Sequence, residues 1–152
     1  MLYTTVFLCF VAVCTPVQEG DSLQTVEADS LTLVESIIAQ AESYLGVPYV
    51  YGGTSESGFD CSGLAYRVFN DNGIDLPRTV TAIGEYGTPV SKDSLLPGDL
   101  LIFHNPTHTG IYIGEGKFIH SSSYMNLGVI ITELTQTNYA RRYHSAVRIV
   151  TE

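Results

Sequence analysis

The chain has 152 residues, of which 45% are hydrophobic and 15% charged, a composition that supports one globular domain and excludes global disorder. Its formal net charge is -9 at pH 7, with 7 Lys and Arg residues against 16 Asp and Glu. Because the sequence has no basic run that would neutralise phosphates, it argues against nucleic acid as a partner.

The N-terminal segment predicts secretion. Residues 2–17 are almost wholly apolar, and this stretch is shorter than the roughly 20 residues that a transmembrane helix needs. We therefore interpret residues 1–14 as a signal peptide and the polar, acidic residues 15–29 as a linker, with no stable membrane anchor. A lipoprotein anchor fits less well, because neither Cys9 nor Cys14 follows a small residue.

The first helix is predicted from Thr32 onward. Apolar residues recur there at helical spacing on one face, namely Leu31, Val34, Ile38, Ala41 and Leu45. Thr32 and Glu35 have the spacing of a capping box, and Gly46 with Pro48 ends the pattern. A further short helix is predicted within Thr79–Tyr86.

The second helix begins at a cysteine. Asp60 is a good N-cap for a helix that starts at Cys61 and stops at Asn72–Gly73. Helix N-termini favour anions, so we expect the thiol of Cys61 to have a lowered pKa. The other two cysteines lie in the predicted signal peptide, which leaves one thiol and favours a catalytic role. The alternative is a small buried apolar residue.

The second half of the chain predicts strands. Short β-prone runs are separated by turn residues, at Leu100–Phe103, Gly110–Ile113, Lys117–His120, Val129–Thr132 and Ala146–Ile149. We expect an antiparallel meander. Because helices come first and strands afterwards, residues 30–152 are predicted to form one α+β domain.

A thiol nucleophile in acyl transfer needs an imidazole base, and four are available: His104, His108, His120 and His144. A three-residue loop at Gly114–Gly116 would pair Ile113 with Lys117 and place His108 and His120 diagonally on one sheet face. A two-residue loop would place them on opposite faces. We therefore favour His108 and His120 as the partners of the cysteine.

Zinc binding is an alternative use of the histidines. His104, His108 and His120 have suitable donor chemistry for three ligands with one position left for water. No carboxylate or further histidine lies at a characteristic spacing, and Cys61 would have no role in such a site. We interpret His104 as a loop residue and His144 as exposed, and we expect neither a metal nor another cofactor.

Six motifs follow one another in an order typical of a known family: Tyr49–Gly53, Asp60–Leu64, Leu76–Arg78, Pro97–Leu100, His108–Gly114 and Gly116–Ser122. In these motifs the chain resembles the NlpC-type cell-wall cysteine peptidases, from about Ile38 to Val150. The resemblance implies a minimal papain-like fold, in which N-terminal helices, including the cysteine helix, pack on a C-terminal antiparallel sheet. It also implies hydrolysis of peptidoglycan stem peptides, commonly at the bond between D-glutamate and a diamino acid.

The resemblance also implies catalytic roles for individual residues. Cys61 would attack, His108 would act as base and then acid, and His120 would orient His108. A secreted monomer that cleaves peptidoglycan peptides is therefore expected. A catalytically silent module that binds wall peptides in the same groove is the alternative, and the complete cysteine–histidine–histidine set argues against it.

Three more residues receive substrate roles by the same resemblance. Tyr49 corresponds to a family tyrosine near the oxyanion or the substrate, and Asp60 and Ser62 would hold the amine end of the peptide. A structural interpretation is equally good: Asp60 would cap the helix, and Ser62 would provide a hydroxyl at its start.

Overall fold

Helix α1, Leu33–Ser43, begins with the predicted capping box. The computed structural model describes residues 32–105 and 107–151, so the predicted signal peptide and linker lie outside the described residues. The Glu35 amide donates to Thr32 Oγ1 at 3.2 Å, and the Thr32 amide donates to Glu35 Oε2 at 2.8 Å. The N-terminal boundary of the helix is therefore confirmed.

The buried face of α1 differs from the predicted one. Ile37 and Ala41 are fully buried and Tyr44 is nearly so, whereas Leu45 is 44% exposed. The Tyr44 ring packs on Phe59 with 4.9 Å between ring centroids. This aromatic contact orients Tyr44 toward the core and leaves Leu45 toward solvent. The prediction that Leu45 faces the core is therefore wrong.

Helix α2 spans Cys61–Asp71, as predicted, after a small hairpin of β1 (Thr54–Ser55) and β2 (Gly58–Phe59). Asp60 is its N-cap and accepts from the Gly63 amide at 2.6 Å. Four apolar side chains of α2 are buried: Leu64, Ala65, Val68 and Phe69. Helix α3, Val80–Tyr86, confirms the short helix predicted nearby.

The rest of the described chain contains six strands, one short α-helix and two 3₁₀-helices, Lys92–Ser94 and Tyr124–Asn126. The strands are β3 (Thr88–Val90), β4 (Leu100–Phe103), β5 (His108–Gly114), β6 (Lys117–Ser122), β7 (Gly128–Glu133) and β8 (Tyr143–Arg148). Helix α4, Thr137–Arg142, precedes β8. In the part of the chain that the structure describes, no helix is long and apolar enough to cross a membrane.

The strands form one antiparallel sheet in the order β3–β8–β4–β5–β6–β7. Strands β4 to β7 are the predicted meander, but β8 returns to lie between β3 and β4. The prediction of a simple meander is therefore wrong at the C-terminus. The α+β class, with helices packed on an antiparallel sheet, is confirmed.

The two faces of the sheet have different cores. Helices α1, α2 and α3 cover one face through a large apolar cluster that includes Leu64, Ile83, Leu100, Ile111, Ile119 and Val147. The opposite face carries a smaller cluster of Leu101, Phe103, Phe118, Leu134 and Ala146, against which Tyr139 of α4 packs. The strands that carry both predicted catalytic histidines lie between these clusters.

The hairpin loop between β5 and β6 is shorter than predicted. Gly114, rather than Ile113, pairs with Lys117. The two turn residues, Glu115 and Gly116, have φ angles of 52° and 71°, a pattern typical of a type I′ turn. The predicted three-residue loop is therefore wrong.

A β-bulge nevertheless restores the predicted register. The pairing shifts between Tyr112 and Gly114, and beyond the shift Tyr112 pairs with Phe118. His108 and His120 therefore lie on the same sheet face, and their ring nitrogens are 2.9 Å apart. The predicted diagonal placement of the two histidines is confirmed, although through a different turn.

Candidate active site

Cys61 lies where the start of α2 packs tightly against a glycine turn. The Asp60 amide donates to the Gly53 carbonyl at 3.2 Å. A Cβ at Gly63 would overlap the same carbonyl oxygen, so only glycine allows this approach. The backbone therefore fixes the position of Cys61 before any side-chain interaction is considered.

An ion pair lies beside the cysteine. Arg78 donates to Asp60 Oδ2 at 2.6 Å and to Ser62 Oγ at 2.8 Å. Burial alone would raise the pKa of Asp60, but the hydrogen bonds from Arg78, Gly63 and Gly52 hold this pKa below its ordinary value. Asp60 is thus ionised at neutral pH and bonded to both the helix start and Arg78.

The electrostatics of the thiol differ from the expectation. Burial raises the pKa of Cys61 above its ordinary value, and the nearby carboxylate of Asp60 raises it further. Hydrogen bonding from the backbone of Thr109 and Ser62 opposes this rise without cancelling it. The expected lowering of the thiol pKa is therefore wrong, and a nucleophilic role for Cys61 would require a base.

The two histidines on β5 and β6 form a hydrogen-bonded pair. Nε2 of His108 lies 2.9 Å from Nδ1 of His120, and the rings meet edge to face at 86°. His120 is fully buried, and its Nε2 lies 2.9 Å from Oγ1 of Thr132. Because His108 uses Nε2 in this pair, its Nδ1 is the nitrogen left for proton transfer.

Burial keeps both imidazoles neutral. It lowers the pKa of His108 to about 4, and the positive charge of Arg142 contributes to this shift. Burial lowers the pKa of His120 to about 2, with further contributions from His108 and Arg142. At neutral pH, His108 is therefore an unprotonated imidazole that can accept a proton.

Cys61 and His108 line the same cavity, which has a volume of about 180 Å³. A larger cleft of about 610 Å³ leads up to Cys61 and is lined by polar and aromatic residues that include Tyr49, Asp60, Arg78 and Thr81. Cys61 thus lies where the cleft meets the cavity, and His108 lies in the cavity.

Tyr49 borders both the cleft and the cavity. A backbone bridge to Phe59 holds it near the start of α2. Burial raises the pKa of Tyr49, and the nearby Cys61 and Asp60 raise it further. The phenol is therefore protonated at neutral pH and is available as a hydrogen-bond donor.

Helix α4 covers the histidine pair, and the sequence did not predict it. The ring of Tyr139 lies 5.0 Å from that of His120, and the Arg142 guanidinium lies 5.7 Å from the Tyr139 ring. The run Thr137–Arg142 has no apolar periodicity, so only its contacts with the aromatic cluster explain the helix.

The other two histidines lie apart from the pair formed by His108 and His120. His104 and His144 are exposed, and their rings stack with 3.8 Å between centroids. Within residues 32–105 and 107–151, no three His, Cys, Asp or Glu side chains are placed to hold a metal ion. The ligand set of the zinc alternative is therefore not brought together.

Comparison with known proteins places the site in context. Residues 46–148 match the model of the NlpC/P60 family. The chain is 38% identical over 160 residues to gamma-DL-glutamyl hydrolase of Bacillus subtilis, covering 99% of this chain and 37% of that protein. It is 35% identical over 142 residues to the murein DD-endopeptidase MepS/murein LD-carboxypeptidase of Escherichia coli, covering 87% of this chain and 74% of that protein.

Solved structures share the fold. An NlpC/P60 family protein from Bacillus cereus is 35% identical with a TM-score of 0.72, covering 76% of this chain and 39% of that one. RipD of Mycobacterium tuberculosis, described as a non-catalytic NlpC/p60 domain protein, is 21% identical with a TM-score of 0.68, covering 79% of this chain and 99% of that one. The latter likeness concerns the fold alone. The chain spans less than half of the B. subtilis and B. cereus proteins.

Proposed function

Because this chain belongs to the NlpC/P60 family, we propose that it is a secreted cysteine peptidase that hydrolyses peptide bonds in peptidoglycan stem peptides. The observation that carries this proposal is the arrangement around one cavity: Cys61 and His108 line it, and His120 bonds to His108 from behind. A neutral thiol beside a neutral imidazole is suited to acyl transfer.

The reaction starts at Cys61. Its sulfur attacks the carbonyl carbon of the scissile bond while the thiol proton passes to Nδ1 of His108. His108 then gives that proton to the leaving nitrogen, the C–N bond breaks, and a thioester remains on Cys61. Water, deprotonated by His108, hydrolyses the thioester and restores the thiol.

His120 acts in this scheme by orientation. Its burial and the nearby charge of Arg142 lower its pKa to about 2, so His120 stays neutral throughout the reaction. A neutral ring that accepts from Nε2 of His108 fixes the tautomer in which Nδ1 of His108 is unprotonated. His120 therefore holds the base without receiving the proton itself.

Substrate recognition involves the cleft residues. We propose that the bond cleaved joins D-glutamate to the following diamino acid, which is consistent with the name of the B. subtilis relative. Tyr49 would donate to the developing oxyanion or to the substrate. Asp60 and Ser62 would meet the amine end of the peptide, where a substrate ammonium would share Asp60 with Arg78. We propose that the protein acts as a monomer.

The first test uses purified peptidoglycan and mass spectrometry of the fragments that the protein releases. We expect products from cleavage at one stem-peptide bond, loss of these products after thiol alkylation, and no effect of a chelator. The opposite pattern, loss with chelator and survival after alkylation, would favour a metallohydrolase. Tight binding to the wall without fragment release would favour the silent binding module.

The pH dependence provides a second test. We expect kcat/KM to be lost on acidification with a midpoint near pH 4, because burial lowers the pKa of His108 to about 4. Above that pH the imidazole is neutral and accepts the thiol proton, and below it the ring is protonated and cannot. Initial rates on a soluble stem peptide, measured at constant ionic strength, locate the midpoint. A midpoint at or above the ordinary histidine pKa would contradict this assignment.

A further inference from the structure

The hydrogen bonding that links His108 to His120 continues to a third side chain on the next strand. Nε2 of His120 lies 2.9 Å from Oγ1 of Thr132 on β7. Thr132 is directly opposite Phe118, two residues before His120 on β6, so it reaches His120 diagonally on the same sheet face. Together with the bond between His108 and His120, this chain of three side chains crosses three neighbouring strands.

The neutral ring of His120 has one N–H but two hydrogen-bond contacts, one with His108 and one with Thr132. His120 is fully buried, and three groups carrying charge or a titratable proton lie around it: His108 on β5, and Tyr139 and Arg142 on α4. Because the neutral ring carries a single N–H, it donates through one nitrogen and accepts through the other. The tautomers of His108 and His120 are therefore coupled.

Two coupled states satisfy these contacts, and only one provides a base. If Nε2–H of His120 donates to Thr132, then Nδ1 of His120 accepts from Nε2–H of His108, and Nδ1 of His108 is free of a proton. If the Thr132 hydroxyl instead donates to His120, then Nδ1–H of His120 donates to His108. His108 then carries its proton on Nδ1 and cannot act as the base.

On the basis of the proposed function, in which His108 is the base, we propose that Thr132 is a positioning residue. Its hydroxyl oxygen accepts from Nε2–H of His120 and thereby holds the histidine pair in the base-competent state. The same state is also required after the thiol proton has moved to His108. With both ring nitrogens protonated, His108 donates from Nε2 and needs an acceptor on His120.

The test compares two substitutions at one position. Thr132→Val keeps the branched shape of the side chain but removes the acceptor, which leaves the buried Nε2–H of His120 without a partner. Thr132→Ser keeps the hydroxyl. Thr88→Val, on the exposed edge strand β3, is the matched control for the same chemical change away from the site. Thermal unfolding of all three variants shows whether the fold is retained.

We expect kcat of Thr132→Val to fall about tenfold at unchanged KM, whereas Thr132→Ser and Thr88→Val stay within about twofold of the wild type. Long-range 1H–15N spectra of protein labelled with 15N-histidine report the tautomers directly. We expect Nε2–H on His120 in the wild type and in Thr132→Ser, and a shift toward Nδ1–H in Thr132→Val.

Two results would overturn the role of Thr132. One is a wild-type His120 protonated on Nδ1, and the other is Thr132→Val with the kcat and the histidine spectra of the wild type. The spectra need no substrate, so they decide the role of Thr132 in the histidine pair even if the wild type releases no peptide from wall material. Failure of the peptidase function and failure of this inference are thereby distinguished.

Discussion

Cys61→Ala is expected to abolish the release of stem-peptide fragments from wall material, with a loss of about 10⁴-fold or more in kcat. Among the residues that the structure describes, Cys61 is the one free cysteine. The hydroxyl next to it cannot substitute, because Ser62 is bonded to Arg78 at 2.8 Å and is nearly buried. Mass spectrometry of the digests, compared with wild-type protein, measures the loss.

The control for this substitution separates catalysis from binding. Removing one sulfur atom leaves the capping bonds of Asp60 and its ion pair with Arg78 in place, so we expect Cys61→Ala to fold and still bind wall peptides. Cys61→Ser should be as inactive as Cys61→Ala, because His108 with its lowered pKa is a weak base for a hydroxyl. Full activity in Cys61→Ala would remove Cys61 from the mechanism.

Local sequence signals predicted the elements better than their arrangement. The capping box at Thr32 and the N-cap at Asp60 are determined by neighbouring residues, and both were predicted correctly. The insertion of β8 between β3 and β4 depends on contacts between distant segments, which leave no periodic pattern in either strand. The buried face of α1 differs from the predicted one for the same reason, because Tyr44 packs on Phe59, which lies in another segment.

In the candidate active site too, local features were predictable from the sequence, whereas contacts between distant segments were not. The pairing of His108 with His120 was predictable from strand alternation, and it survived an incorrect turn because a bulge compensated for the missing loop residue. The pKa of Cys61 was not predictable from its place at a helix start, because burial by the rest of the fold raises it. The contacts of Arg78 and Thr132 also join distant segments. Both residues lie in segments that the sequence singled out, but nothing local indicated their partners.

His108→Ala is expected to lower kcat by about 10³-fold or more, because the thiol then has no base and its pKa is raised by burial. His120→Ala is expected to have a smaller effect, of about 10- to 100-fold, because the base remains but loses the acceptor that fixes its tautomer. Single-turnover rates on a soluble stem peptide separate the two effects from changes in substrate binding.

His120→Asn is the matched control for this pair of variants. An asparagine side-chain oxygen lies near the position of Nδ1 of a histidine and accepts from Nε2–H of His108, so His120→Asn should recover much of the rate that His120→Ala loses. Added imidazole should partly restore His108→Ala, because the cavity left beside Cys61 admits a small base. Equal losses in His108→Ala and His120→Ala, with no recovery in His120→Asn, would indicate that His120 takes part in proton transfer itself. The burial that lowers its pKa to about 2 argues against such a role, since burial and the positive charge of Arg142 both disfavour a proton on His120.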